Sequence, residues 1–216
     1  MKIAVIGAGN VGRALATSFT QAGHTVHVTA QHAEHAQAVA AETGAHAVES
    51  SVDAAAGADV VVLAVPFTSA EAVAAEIRDA VAGKPVVDAS NRMAFGADGP
   101  TIDNGPSNAE RLAAWLPEAH VVKAFNTLFS SNQVDPNVDG IQLDGFVAAD
   151  DPAARVAVLE LVDSIGLRAI DAGPLARAQQ LEQMAFFNIA LNATNGWSWQ
   201  SGWRLAVAPT ALPDAA

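Results

Sequence analysis

Gly7, Gly9 and Gly12 stand in the order G-x-G-x-x-G, as Gly7-Ala8-Gly9-Asn10-Val11-Gly12, directly after the apolar run Met1 to Ile6. That spacing suits the holding of a pyrophosphate. Gly7 permits a tight turn, Gly9 lets the backbone approach the anion, and Gly12 lets the following helix pack closely, with its N-terminal amides and dipole aimed at the negative charge. A purely structural turn would use glycines too, so context decides. Here an apolar strand precedes the motif and Arg13-Ala14-Leu15-Ala16 opens a helix. A second strand, Thr25 to Thr29, closes a βαβ unit of about 30 residues. Gly7, Ala8, Gly9, Asn10, Val11 and Gly12 are therefore expected to bind a dinucleotide.

The end of the second strand selects which one. An Asp or Glu there accepts hydrogen bonds from the ribose hydroxyls of NAD, whereas NADP sites lack the acid and often supply an arginine for the 2′-phosphate. The chain reads Val28-Thr29-Ala30-Gln31-His32, with neither charge, and has no Arg or Lys between Arg13 and Arg78. The missing acid removes a repulsion, which favours NADP and keeps NAD as the alternative. Thr29, Gln31, His32 and His35 remain as donors, since histidine is the side chain that gains charge near neutrality. His32 and His35 read equally well as two solvated helix residues.

These groups need a scaffold, and the rest of the chain describes it. Short β-branched runs separated by alanine-rich stretches are the pattern of a parallel sheet covered on both faces. Strands are expected near residues 1–6, 25–29, 45–48, 59–65, 85–88 and 119–124, with helices over 10–22, 31–42, 69–81 and 107–116. Ser107 and Glu110 form an S-x-x-E capping box at the start of the last of these. Two more strands, 142–148 and 167–170, flank a helix at 151–164 and extend the same sheet. The fold class is thus α/β, a doubly wound parallel Rossmann sheet over residues 1–172. A short C-terminal helical appendage, 173–216, caps the cleft, dimerises, or does both.

The appendage reads as one helix from Leu175 to about Asn195, whose Met184, Phe186, Phe187, Ile189, Ala190 and Leu191 cover more than one face. About forty residues cannot build a core alone, so this segment must pack on the sheet domain or on a second copy. Trp197, Trp199 and Trp203 follow it. They either stack on a planar acceptor or bury the helix end and a dimer contact, the latter being preferred. Ala97 to Pro106 is the one long irregular loop, a flap or a plain connector.

Composition narrows the partners. The 216 residues are 51% hydrophobic, carry a formal net charge of −12 and include no cysteine. Disulfides, thiolate metal sites and cysteine catalysis are excluded, and the general field repels nucleic acid and anionic membranes. No window reaches the roughly 18 uncharged apolar residues that a membrane span requires. A cytoplasmic protein without a metal site is expected, with a small-molecule partner and a homodimeric state.

In open α/β sheets ligands bind outside the carboxyl ends of the strands. Ala64, Val65 and Pro66 end the fourth strand, Ser90 and Asn91 follow the fifth, and Ala124 and Asn126 end the sixth. All are expected to line the nicotinamide side, although Ser90, Asn91 and Asn126 would serve equally as turn or cap residues. Lys123, inside an apolar strand, either snorkels, pairs with a carboxylate, or joins Asn126 as a candidate catalytic residue.

Three further segments, Val62-Leu63-Ala64-Val65-Pro66, Val121-Val122-Lys123-Ala124-Phe125-Asn126-Thr127 and Asp171-Ala172-Gly173-Pro174-Leu175, give a more specific resemblance. With the glycine motif, the chain resembles the NADP oxidoreductases dependent on coenzyme F420, an 8-hydroxy-5-deazaflavin. More distantly it is similar to the nucleotide domains of pyrroline-5-carboxylate reductases and membrane ferric reductases. The resemblance implies hydride transfer between NADPH and a deazaflavin or flavin-like ring lying face to face between the sheet's carboxyl edge and the C-terminal helices. The chain departs from deazaflavin-reducing members, which carry basic residues after the second strand and a histidine where Asn126 stands. Two alternatives stay open. One is reduction of a small imine or ketone, with Lys123, Ser90 or a water held by Asn126 as proton donor. The other is a dinucleotide-binding subunit without turnover.

Overall fold

The computed structural model describes residues 1–96, 99–102 and 104–207. Chain order begins β1 (Lys2–Ile6), α1 (Asn10–Gln21), β2 (Thr25–Thr29), α2 (Ala33–Thr43), β3 (His46–Ala47), α3 (Ser51–Ala56), β4 (Val60–Leu63) and α4 (Phe67–Ile77). It continues β5 (Pro85–Asp88), β6 (Ala94–Gly96), β7 (Gly99–Thr101), α5 (Asn108–Trp115), β8 (His120–Lys123) and α6 (Ser130–Val134). The last part is β9 (Asn137–Val138), β10 (Ile141–Gln142), β11 (Asp144–Ala149), α7 (Pro152–Ser164), β12 (Arg168–Gly173) and α8 (Ala178–Asn195). Eight strands form one sheet in the order β12-β11-β8-β5-β4-β1-β2-β3. The chain therefore reverses its winding between β1 and β4, where a doubly wound sheet opens a crevice.

Alternation along the strands builds two cores. Val5, Val62, Val87 and Val122 face α1, α2 and α7, packing with Leu15, Phe19, Val39 and Leu161. Ile6, Leu63, Val86 and Val121 face the opposite side, with Ala54, Ile77, Leu112 and Leu116 from α3, α4 and α5. Phe19 is wholly buried, and a side chain of that size contributes about 2–3 kcal/mol through burial. The parallel register sets Ile6 beside Thr29 and Leu63, Leu63 beside Asp88, and Asp88 beside Lys123. The strands thus reach their carboxyl ends in one row, and the two opposite charges stand in that row where the apolar core stops.

Several boundaries differ from the sequence reading for local reasons. The helix expected over 69–81 begins at Phe67, behind Pro66, and tightens into a 3₁₀ turn at Arg78–Val81. Ser50 caps the short α3, whose six residues are too few to show a helical period. The capping box of α5 is present in both directions. At the start of the stretch read as an irregular loop, Ala97 to Pro106, β7 pairs with β6 just before it as a small antiparallel hairpin. Residues 97, 98 and 103 of that stretch lie outside the described residues. The outermost strands also depart from an all-parallel sheet: β11 runs antiparallel to β8, and β12 parallel to β11.

α8 follows a 3₁₀ turn at Leu175–Arg177 rather than starting at Leu175. Its inner face lays Ala178, Leu181 and Ala185 on the sheet domain, whereas Phe187 on its outer face is 54% exposed. One copy of the chain encloses only part of this helix.

Candidate active site

The glycine turn is compressed on two sides and open on the third. Gly7 has φ of +118°, and a Cβ there would lie 2.4 Å from the Ala64 carbonyl oxygen. A Cβ at Gly12 would lie 1.8 Å from the Gly7 oxygen, but one at Gly9 meets nothing within 4 Å. The Gly7 N–H donates to the Thr29 carbonyl at 2.8 Å, tying the turn to the end of β2. Gly9 is also the N-cap of α1, with no side-chain cap and no acidic residue in the first turn. The open edge therefore coincides with uncapped helix amides, an arrangement that attracts an anion.

A cleft of about 990 Å³ begins at this edge and runs along the crevice between β2, β1 and β4. It brings together Gly7, Ala8, Gly9, Gln31, His32, His35, Ala64, Val65 and Pro66, nine of the residues singled out from sequence. Asn10, Val11 and Gly12 form the first turn of α1 behind it. Thr29 is 1% exposed, and its Oγ1 has no hydrogen-bond partner among the described residues. Arg13, Ser51 and the α4 residues Thr68, Ser69, Ala72 and Val73 complete much of the wall. Volume, open glycine edge and free amides fit an extended dinucleotide.

Past the β4 end, Thr68 also borders a second cavity of about 210 Å³ that includes Asn91, Arg92, Asn108 and Arg111. Asn91 at its edge is bound to Asn126, which is buried behind it and, like Ser90 and Ala124, lines neither cavity. The Asn126 Nδ2 donates to Asn91 Oδ1 at 2.8 Å and to the Leu181 carbonyl at 3.0 Å, while Asn91 Nδ2 donates to the Asn126 carbonyl at 3.0 Å. Their neighbour Phe125 holds a left-handed φ of 64° although it is buried. A non-glycine residue in that region costs about 1–3 kcal/mol and persists only where its surroundings over-determine it. Here the edge contact with Phe19, ring centroids 5.6 Å apart, and the bond from Gln133 Nε2 to the Phe125 carbonyl supply that constraint. Ala124 is wholly buried beneath this segment.

Lys123 occupies the dry centre between these parts. Its Nζ donates to Asp88 Oδ2 at 2.7 Å, to Glu182 Oε1 at 2.9 Å and to the Ser90 carbonyl at 2.6 Å, so all three donors are engaged. Lys123 lines neither cavity, and its contacts are those of a carboxylate partner. The Ser90 hydroxyl donates to Asp88 Oδ1 and accepts from Asn108 Nδ2. Glu182 also accepts the N–H of Asn108 at the start of α5, and its Oε2 lies 3.5 Å from Arg92 Nε. Burial pushes the Glu182 carboxyl above its ordinary value, against the opposing pull of Lys123, and the Asp88 charge adds to the rise. α8 is thereby joined to the ends of β5 and β8 by a buried ionic cluster. Asp88, Arg92, Asn108 and Glu182 were not singled out from sequence. The signal for Asp88 and Lys123 was present, two apolar strands each ending in an opposite charge.

The tail folds back by polar bonds. Asp144 is fully buried and accepts from Arg168 at 2.6 and 2.8 Å and from the Leu205 N–H at 2.7 Å, with Arg204 at 3.5 Å. Burial alone would raise this carboxyl, but the Arg168 and Leu205 bonds and the two guanidinium charges hold it below its ordinary value. Trp203 stacks on Phe187 with centroids 6.4 Å apart, and Trp199 meets Phe129 edge-on. None of Trp197, Trp199 and Trp203 lines either cavity.

An eight-stranded doubly wound sheet with an uncapped glycine turn opening on its switch-point crevice defines a dinucleotide-binding α/β protein of the Rossmann class. Residues 2–92 match the family described as NADP oxidoreductase, coenzyme F420-dependent. The chain is 35% identical over 211 residues to the F420-dependent NADP reductase of Methanothermobacter thermautotrophicus, covering 90% of each chain. It belongs to this family. A solved protein of Arthrobacter sp. FB24, proposed to be an F420-dependent NADP reductase, superposes with a TM-score of 0.85 at 31% identity, covering 96% of this chain and 100% of that one. The metalloreductase STEAP3 of Rattus norvegicus is 28% identical over 84% of this chain and 36% of its own length.

Proposed function

We propose that this chain transfers a hydride between NADP(H) and a deazaflavin acceptor of the coenzyme F420 type. The observation that carries the reading is the match over nine-tenths of both chains to a reductase of that name. Bound NADPH supplies the hydride, so the protein's contribution is orientation and the exclusion of water. The Gly7 to Gly9 turn and the α1 amides hold the pyrophosphate, and Gln31, His32 and His35 face the adenosine ribose. Ala64, Val65 and Pro66 support the middle of the dinucleotide. Asn91 and Asn126, locked by their mutual bonds, fix the wall on the nicotinamide side. Residues 1–172 form the dinucleotide domain, and the described part of residues 173–216, up to residue 207, closes its carboxyl edge.

The reading includes a cytoplasmic homodimer. Its support is the outer side of α8 and the tail, where Phe187 is 54% and Trp197 and Trp199 are each 47% exposed. The test is spectroscopic: purified protein mixed with NADPH and oxidised F420 should bleach the deazaflavin absorbance with one NADPH consumed per F420, and NADH should serve poorly. No bleaching with either nucleotide would overturn the reading.

A further inference from the structure

We propose that Arg13 determines the preference for the 2′-phosphorylated dinucleotide, and that Glu42 holds it in reserve until that phosphate arrives. This rests on the reading that the cleft takes NADP(H). From Ala30 through Ala38, after the end of β2, there is no arginine or lysine for a phosphate, and the one acid, Glu34, is not part of the cleft wall. A cation comes from another element instead. Arg13, in the first turns of α1, is the one arginine or lysine among the residues lining the cleft. It stands on the same wall as Gln31, His32, His35 and Ala38.

Arg13 is paired with Glu42 through its Nη1. His35, Ala38 and Glu42 are spaced three and four residues apart, so they share one face of α2. Ala38, between them, leaves room for a side chain to lie along that face. On this proposal Arg13 leaves Glu42 by rotation of its side chain and turns its guanidinium toward His35, which lines the same cleft. The exchange is favourable because the Arg13 and Glu42 side chains are 42% and 55% exposed, and an exposed pair of this kind contributes little. A phosphate dianion offers bidentate, charge-assisted bonds that a single carboxylate contact does not match. The His32 and His35 rings, 5.5 Å apart and edge to face, supply further donors on the same wall.

Equilibrium binding of adenosine 2′,5′-bisphosphate, ADP, NADPH and NADH, followed by calorimetry, tests this without turnover. Arg13→Gln should weaken NADPH and adenosine 2′,5′-bisphosphate by about ten- to hundred-fold while NADH and ADP stay within about two-fold. Arg13→Lys should fall between Gln and wild type, and Glu42→Gln should tighten the two 2′-phosphate ligands several-fold without touching NADH. Equal weakening of phosphorylated and unphosphorylated ligands in Arg13→Gln, or no weakening, would overturn the role of Arg13. An unchanged NADPH affinity in Glu42→Gln would overturn the role of Glu42. Wild-type protein that prefers the 2′-phosphate ligands but passes no hydride to F420 would sink the proposed function and leave this inference standing.

Discussion

Replacing Lys123 by Met removes the cation at the centre of the buried cluster and leaves its shape nearly unchanged. Asp88 at 2.7 Å and Glu182 at 2.9 Å then lose their common partner, and the Ser90 carbonyl loses a donor. The cluster of Lys123, Arg92, Asp88 and Glu182 passes from neutral to one excess negative charge. Removing one member of a buried ion pair costs about 3–5 kcal/mol, a large part of the roughly 5–15 kcal/mol that holds a domain folded. For a chain of this length that corresponds to a fall in Tm of roughly 10 °C or somewhat more.

The pH dependence gives a sharper reading of the same variant. Burial already raises the Glu182 carboxyl above its unfolded value. The folded state therefore binds the extra proton, and the stability linked to it is present at low pH and lost as pH rises through the raised value. Losing Lys123 raises that value further, so Lys123→Met should be most damaging near pH 8 and least near pH 5. The double variant Lys123→Met/Glu182→Gln, which removes the surplus charge, should regain part of the loss. Urea denaturation at both pH values measures all of this. A loss below about 1 kcal/mol, a loss independent of pH, or strictly additive variants would refute the claim that this cluster clamps α8 to the sheet.

Two glycines of one motif should fail in different ways. Gly9→Ala places its methyl in open space, so thermal stability should hold while NADPH binding weakens by at least ten-fold through lost approach to the pyrophosphate. Gly12→Ala drives a methyl to 1.8 Å from the Gly7 oxygen and should lower the melting temperature as well as abolish binding; calorimetry and titration separate the two. Asp144→Asn should free the tail for proteolysis near Leu205 at neutral pH. In the unaltered protein, with this carboxyl held below its ordinary value, the anchor should last until acid carries the pH through that lowered value.

The legible parts of the molecule were those with local causes. The β1-turn-α1-β2 unit, the capping box at Ser107 and the carboxyl-end positions of Ala64 to Pro66 each follow from short-range chemistry, and the structure places them accordingly. The reversal of β11 was not legible, because a strand has the same two-residue period in either direction. The hairpin of β6 and β7 is only three residues a side and includes Gly and Pro, which read as loop. Lys123 was conspicuous, but Glu182 lies 59 residues further on in a helix whose pattern gives no sign of its partner. Arg13 was passed over because it does not follow β2; only the packing of α1 against α2 brings it to that wall.

The formal charge of −12 around a cleft lined by a single arginine also governs how fast a ligand arrives. A dinucleotide carrying several negative charges must approach against the average field of the molecule and feels Arg13 and the α1 amides only at close range. Salt shortens the reach of that repulsion, from a Debye length of about 30 Å at 0.01 M to about 8 Å at 0.15 M. Capture is therefore slowest in dilute buffer and quickens as ions are added, the opposite of an electrostatically steered enzyme. The fold selects its cofactor at the last few ångströms and gives up speed at long range.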